Sequence, residues 1–338
     1  MLEHFQHQKL VKLWLIVGLV FWAPKTIAQE STPQPPMLQI ENETASAVAW
    51  SPDGIMLAVG DNTGILLYTE NLEFIRRFEQ PSEEMKALEW SPDGRYLAAL
   101  GADDVAPVEK GDLNNPKVYI WEADTGKLVT IFKEHQFLVT SLAWSQDGSR
   151  IATGSWDGTV RIWTPLTGDT ESVYSHESDE LFPYITSVSW SPDNCRLATL
   201  AQDVGVYIWD TDSGLLDYFV PNPHPYPPIP VVVAWSPDGE MLATGYGVMD
   251  TETNFEHCPA SGSVDWHPDR EVLALLGENM VSICDVTSDQ VLTVLEGGLG
   301  ILETRIGLSY SLDWHPDGQR LAGAAADGFV RIWRVFDN

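Results

Sequence analysis

Apolar residues in this chain fall in short runs, each cut off by a cluster of turn-forming residues, and the runs recur in register along most of its length. The first shows the pattern. Ser46 to Trp50 is small and apolar and ends in Trp; Met56 to Gly60 is a second run of strand length and composition. Between them, Pro52 presets φ for a type I turn, Asp53 bonds its own backbone, and Gly54 takes the left-handed conformation that returns the chain. The result is a tight hairpin corner. Copies start at Trp50, Trp90, Trp144, Trp190, Trp235, Trp266 and Trp314, and a period of this size predicts a repeat architecture. A third strand follows in each, clearest at Val118 to Trp121, Val160 to Trp163, Val206 to Trp209 and Val330 to Trp333. A Thr-Gly or Ser-Gly turn then leads to a fourth, as in Leu128 to Lys133 and Leu215 to Val220. Four short strands per repeat predict an all-β fold.

Val-Arg-Ile-Trp at 160–163 and 330–333, and Val-Tyr-Ile-Trp-Asp at 206–210, each paired with an upstream Trp corner, resemble the WD-repeat β-propeller family over residues 37–338. The usual Gly-His dipeptide is absent, so the resemblance is to a divergent, exported, bacterial-type member. It implies a seven-bladed β-propeller of four-stranded antiparallel blades around a channel. It also implies a buried structural tetrad, which maps fully onto repeat three as His135, Thr153, Asp157 and Trp163. Repeat four offers Trp209, Thr199, Asp203 and His176, whereas repeat seven keeps only Asp327 and Trp333, with Gly323 at the Thr position.

The repeat phase raises two further expectations. Only five residues follow Trp333, too few for a last fourth strand, so Met37 to Ile40 is expected to close the ring as the outer strand of the final blade. The interval from Trp235 to Trp266 is only 31 residues, against 40 to 54 elsewhere, which predicts a reduced fifth blade.

The N-terminus sets the expected cellular address. Lys9 and Lys12 precede the apolar run Leu13 to Trp22, and Thr26, Ile27 and Ala28 offer a cleavage site, so residues 1–28 read as a signal peptide and 29–36 as a Pro-rich linker. The run is short for a bilayer span, and the expectation is a secreted or periplasmic protein with no membrane span in the mature chain. Cleavage moves the formal charge from −30 to about −32, which argues against nucleic acid and anionic membranes as partners. Export permits a disulfide, and of Cys195, Cys258 and Cys284 the last two are the nearest pair in sequence.

Catalytic patterns are thin. The six His of the expected mature chain show no metal-ligand spacing, there is no nucleophile elbow or phosphate loop, and no cofactor or metal is expected. His267 and His315 simply replace Ser in the corner. Long insertions at 101–116, 175–184, 221–230 and 296–308 all join strands at one end of the blades, which makes that end the expected binding face. Trp156 alone among the Trp residues of the expected mature chain falls outside the repeat pattern. The resemblance places it, with Leu138 and Tyr184, at positions that contact partners in the family. These features point to a noncatalytic extracytoplasmic scaffold that binds a protein partner. Two other readings stay open: an extracytoplasmic hydrolase or lyase at the channel mouth, and a propeller that binds polysaccharide on Trp156 and Tyr184.

Overall fold

Each Trp corner forms because its polar groups satisfy one another locally. The Ser51 hydroxyl donates to Asp53 Oδ1 (2.5 Å) and accepts the Met56 N–H (3.0 Å), and Gly54 donates to Ser51 O (2.8 Å) at a φ of 72°. The same set recurs at Ser91, Ser145 and Ser236, and at Ser191 with Asn194 in place of the Gly. In the computed structural model these corners are the inner hairpins of seven four-stranded antiparallel sheets. The structure describes residues 35–338 apart from 43, 79–83, 103–116, 177–182, 203, 222–231, 245–246, 251–254, 257, 259–262, 277–279, 297–310, 326–328 and 338. Residues 1–34, which hold the expected leader and most of the expected linker, the greater part of each long insertion, Asp203 and Asp327 therefore lie outside the described residues.

From the channel outwards, blade one is Ala47–Trp50, Met56–Asp61, Gly64–Thr69 and Phe74–Arg77. Blade two is Glu84–Trp90, Tyr96–Ala102, Val118–Glu122 and Lys127–Phe132; blade three is Val139–Trp144, Ile151–Ser155, Thr159–Trp163 and Thr170–Ser175. Blade four is Ile185–Trp190, Arg196–Ala201, Gly205–Asp210 and Leu216–Pro221. Blade six is Val264–Trp266, Val272–Leu276, Val281–Asp285 and Gln290–Leu295.

Blade five is reduced in strand length. It keeps four strands, Val233–Trp235, Met241–Thr244, Gly247–Asp250 and Phe255–Glu256, but they are short, the outermost having two residues. The repeat is compressed by trimming strand length, with the count preserved.

Blade seven closes the ring. Leu312–Trp314, Arg320–Ala325 and Phe329–Arg334 come from the end of the propeller, and Leu38–Glu41 from its beginning pairs antiparallel with Phe329–Arg334, Leu38 opposite Ile332 and Glu41 opposite Phe329. The closing strand is thus shifted by one residue from the expected Met37–Ile40.

The hydrophobic core is divided among the joints between blades. One cluster holds Ala49, Phe78, Trp90 and Trp121 between blades one and two, and another holds Val48, Trp50, Ala322 and Ile332 between blades seven and one, covered by Leu38 and Ile40. Small polar side chains stitch adjacent innermost strands: Ser46 Oγ donates to Met85 O (2.6 Å), Thr140 Oγ1 to Ile185 O (2.6 Å) and Ser311 Oγ to Val48 O (2.8 Å). Cys258, just past blade five's outer strand, is disulfide-bonded to Cys284 in blade six, whereas Cys195 is free and exposed in its corner.

Candidate functional site

Three loops of blades three and four meet at the end of the ring opposite the Trp corners. Trp156 lies between the second and third strands of blade three; Leu138 and Tyr184 lie just ahead of the innermost strands of blades three and four. The antiparallel order brings these connections to the same end, which is also where the long insertions leave their strands. The Trp156 N–H donates to Leu138 O (2.9 Å), and the Trp156 and Tyr184 rings sit 5.2 Å apart, inclined at 42°. Leu138 and Trp156 are half-buried and Tyr184 is exposed. All three sequence-selected residues are therefore neighbours across one joint.

Phe137 joins them, and the sequence reading missed it. Its side chain is 44% exposed although it is large and apolar, while its carbonyl accepts the Ser155 hydroxyl (2.9 Å) and so holds the loop down. A Phe beside the selected Leu138, in a connection with no strand to pack, was the available signal.

Beneath this patch the blade-three tetrad forms a relay. Trp163 Nε1–H donates to Thr153 Oγ1 (3.3 Å), the Thr153 hydroxyl donates to His135 Nε2 (2.9 Å), and His135 Nδ1–H donates to Asp157 Oδ2 (2.9 Å). Asp157 also accepts the Gln136 N–H (2.9 Å), the Thr159 N–H (2.9 Å) and the Thr159 hydroxyl. Burial alone would raise its pKa, but the His135 hydrogen bond and the Thr159 and Gln136 donors outweigh that and hold it well below the usual carboxylate range. The relay fixes the loop that carries Trp156, one residue before Asp157.

In blade four, Trp209 Nε1–H donates to Thr199 Oγ1 (3.0 Å), which bonds His176 Nε2 (2.7 Å). His176 Nδ1 has no hydrogen-bond partner among the described residues, and burial pushes the ring's pKa down to about 4, keeping it neutral at physiological pH. In blade seven a Cβ on Gly323 would lie 2.8 Å from the Trp333 ring, so the Trp fills the Thr position and donates to Glu296 O (2.8 Å) instead.

Asp157→Ala is expected to cost about 1–3 kcal/mol, because it strands the His135 Nδ1–H in a buried site. Asp61 stands at the matching position of repeat one, which lacks the tetrad. Asp61, however, is itself buried and accepts the Thr63 N–H (2.7 Å) and hydroxyl (2.6 Å), the same turn that Asp157 makes with Thr159. The relay's share is therefore the excess of Asp157→Ala over Asp61→Ala in chemical denaturation, and equal losses would assign it nothing.

Two features lie towards the corner end. Glu89, Asp265 and Asp313 each stand immediately before the Trp of an innermost strand and are half-buried on the channel. Glu89 accepts the Trp144 N–H (3.2 Å), Asp265 the Trp314 N–H (2.6 Å) and Asp313 the Trp50 N–H, each from the next blade. Loss of solvation pushes Glu89 up to about 8 and raises Asp265; Asp313 is raised by the same cause and by the charges of Asp265 and Glu89. A groove of about 710 Å³ opens between the corners of blades five and six, lined by Asp238, Trp266, Asp269, Arg270, Glu271 and Leu292.

Comparison with known proteins agrees with this architecture. The family model described as WD domain, G-beta repeat matches residues 126–164 and 305–334, that is, the end of blade two with most of blade three, and blade seven. The chain is a seven-bladed propeller, and two stretches of it match the WD repeat. Periodic tryptophan protein 2 of Saccharomyces cerevisiae is 39% identical over 54 residues, covering 16% of this chain and 6% of that protein. The small ribosomal subunit protein RACK1y of Oryza sativa is 31% identical over 126 residues, 37% of this chain and 36% of that protein. Human echinoderm microtubule-associated protein-like 2 is 29% identical over 140 residues, 40% of this chain and 20% of that protein. The propeller thus aligns with about a third or less of the length of these relatives. No helix among the described residues is long and apolar enough to cross a membrane.

Proposed function

We propose that this propeller is a noncatalytic scaffold for protein–protein interaction in an extracytoplasmic compartment, and that its partner docks on the end carrying Phe137, Leu138, Trp156 and Tyr184. The observation that carries the reading is the Trp156–Tyr184 pair, two partly open rings 5.2 Å apart on loops of adjacent blades. An aromatic anchor of this kind, with aliphatic neighbours and a rigid support, is the composition of an interface hot spot. Rings inclined at 42° form a wedge for an apolar side chain, which supports a protein partner over a flat-stacking sugar. The names of two relatives, one a ribosomal subunit protein and one microtubule-associated, describe assembly with larger structures, and a scaffold role here is of the same kind. The leader-like N-terminus and the Cys258–Cys284 bond support the exported setting.

The channel carboxylates Glu89, Asp265 and Asp313 are what an enzyme at the channel would draw on. Each already commits one oxygen to a backbone N–H of the neighbouring blade, which favours a role in holding blades together.

Affinity capture from the native secretome or envelope tests the proposal. Trp156→Ala should weaken capture of the partner by about 2 kcal/mol, roughly thirtyfold, with the melting temperature unchanged. A lowered melting temperature with proportionate loss of binding would instead make Trp156 a packing residue.

A further inference from the structure

Blade six departs from the repeat at two positions, and both departures lead to the same place. Cys284 stands opposite Leu273, where blades two, three, four and seven set Trp121, Trp163, Trp209 and Trp333 opposite Leu97, Ile151, Leu197 and Leu321. Asp289 closes the turn into the outer strand, at the position that Gly126, Gly168 and Gly214 fill in blades two, three and four. It keeps the left-handed backbone of those glycines, φ 54° against 70°, 74° and 72°, although it carries a side chain. Cys258, arriving from blade five, is left-handed too, at φ 46°. Among the described residues only two other non-glycine positions, Leu72 and Asn194, share that conformation. Backbone strain of this kind persists where the surroundings hold a side chain at a required point.

The three side chains meet. One ligand atom from each of Cys258, Cys284 and Asp289 lies within 4.8 Å of the other two. Both sulfurs are buried, Asp289 is exposed, and the Asp285 carbonyl stands 3.8 Å from each sulfur. The Cys258 N–H donates to Asp289 Oδ1 (3.1 Å), which fixes the carboxylate beside the pair. A disulfide is neutral and gains nothing from a carboxylate at this range. Two thiolates with a carboxylate, by contrast, are a donor set for a thiophilic divalent cation.

We propose that Cys258, Cys284 and Asp289 form a zinc site in the reduced chain, so that the joint between blades five and six is tied covalently when oxidised and through Zn2+ when reduced. A dithiol reductant supplies two electrons and two protons, opening the S–S bond to two thiols and itself becoming a disulfide. Zn2+ then displaces both thiol protons to solvent and takes two thiolates and one carboxylate oxygen. Two sulfurs on one tetrahedral zinc lie about 3.8 Å apart, a separation that side chains on Cα atoms 6.2 Å apart reach by rotation about χ1. With three protein donors, the fourth position is left to water, reached from the exposed Asp289 side. The chain's net charge of −30 draws cations to its surface, and two sulfur donors in three select zinc over calcium or magnesium.

Cobalt reports the site, because Co2+ takes the place of zinc and gives a near-ultraviolet charge-transfer band when thiolates bind it. The full chain, reduced with a phosphine and freed of it without oxygen, should bind one Co2+ with that band. Zn2+ added to the same metal-free chain in unbuffered solution near neutrality should release two protons per ion. The oxidised chain should show neither response. Cys284→Ala should lose the band and Cys195→Ala should keep it. Asp289→Asn, which retains an oxygen for the Cys258 N–H, should bind Co2+ about tenfold or more weakly. No band in the reduced wild type, a band kept by Cys284→Ala, or Asp289→Asn binding like the wild type would each overturn the proposal. If the reduced chain unfolds without metal, one equivalent of Zn2+ should restore its strand signal in circular dichroism for the wild type and not for Cys284→Ala; failure of the wild type to respond would overturn it equally.

Discussion

A chain beginning at residue 42 is expected to melt about 5–8 °C below one beginning at residue 37, and to lose on the order of 3–5 kcal/mol, because the five residues between them carry the closing strand. Leu38–Glu41 pairs along Phe329–Arg334, and the Met37 N–H donates to Ile332 O (2.8 Å). Leu38 and Ile40 cover the cluster of Val48, Trp50, Ala322 and Ile332, which belongs to both the first and the last blade. The strand is covalently part of the chain entering blade one and hydrogen-bonded to blade seven, so its loss opens an edge and unlinks the two ends of the ring together. Truncation at 37 serves as the reference because it removes residues 1–36 yet keeps every closing pair. Matching melting curves for the two chains would show that side-chain packing between blades one and seven closes the ring unaided.

The parts of this fold that were legible in the sequence are those whose chemistry is local. A Trp corner satisfies itself within six residues, as Ser51, Asp53, Gly54 and Met56 do, so its presence can be read from the letters alone. The relay of His135, Thr153, Asp157 and Trp163 spans more chain but keeps one order and spacing, which a motif records. The strand count of blade five is not legible in the sequence because Gly247–Asp250 and Phe255–Glu256 are held by register with their neighbours and carry no Ile-Trp signature.

Replacement of Ser is half of what the corner histidines do. Their Nδ1 does stand in for the hydroxyl as a local acceptor, but their Nε2 reaches a glycine carbonyl one blade on. That second contact joins residues about 50 apart in one case and at opposite ends of the propeller in the other, so no local pattern reports it. The docking patch shows the same divide. Trp156 stood out by breaking the repeat, whereas Phe137 breaks nothing and is distinguished only by its exposure.

Breaking the Cys258–Cys284 bond should be the second large effect, about 3.5 kcal/mol by the loss of loop-closure entropy for a sequence separation of 26 residues. Its position suggests why the ring carries a covalent link at this joint. Cys284 occupies the site in the third strand where blades two, three, four and seven have Trp121, Trp163, Trp209 and Trp333, so blade six lacks the ring that fills this space in those four blades. Blade five is the blade with the least ladder, its outer strand held by two pairs, Val248 with Glu256 and Met249 with Phe255. The disulfide anchors the chain leaving that strand to blade six, and the Cys258 N–H donating to Asp289 Oδ1 (3.1 Å) holds the same segment a second time. Cys258→Ala/Cys284→Ala is therefore expected to melt on the order of 5–10 °C below the oxidised wild type. Hydrogen exchange should rise first in Phe255–Glu256 and Val281–Asp285, ahead of blades one to four. Cys195→Ala, which removes the free exposed thiol, should leave the transition where it is. If the double variant melts with the oxidised wild type, blade five is held by its neighbours' packing and the bond adds nothing to the ring.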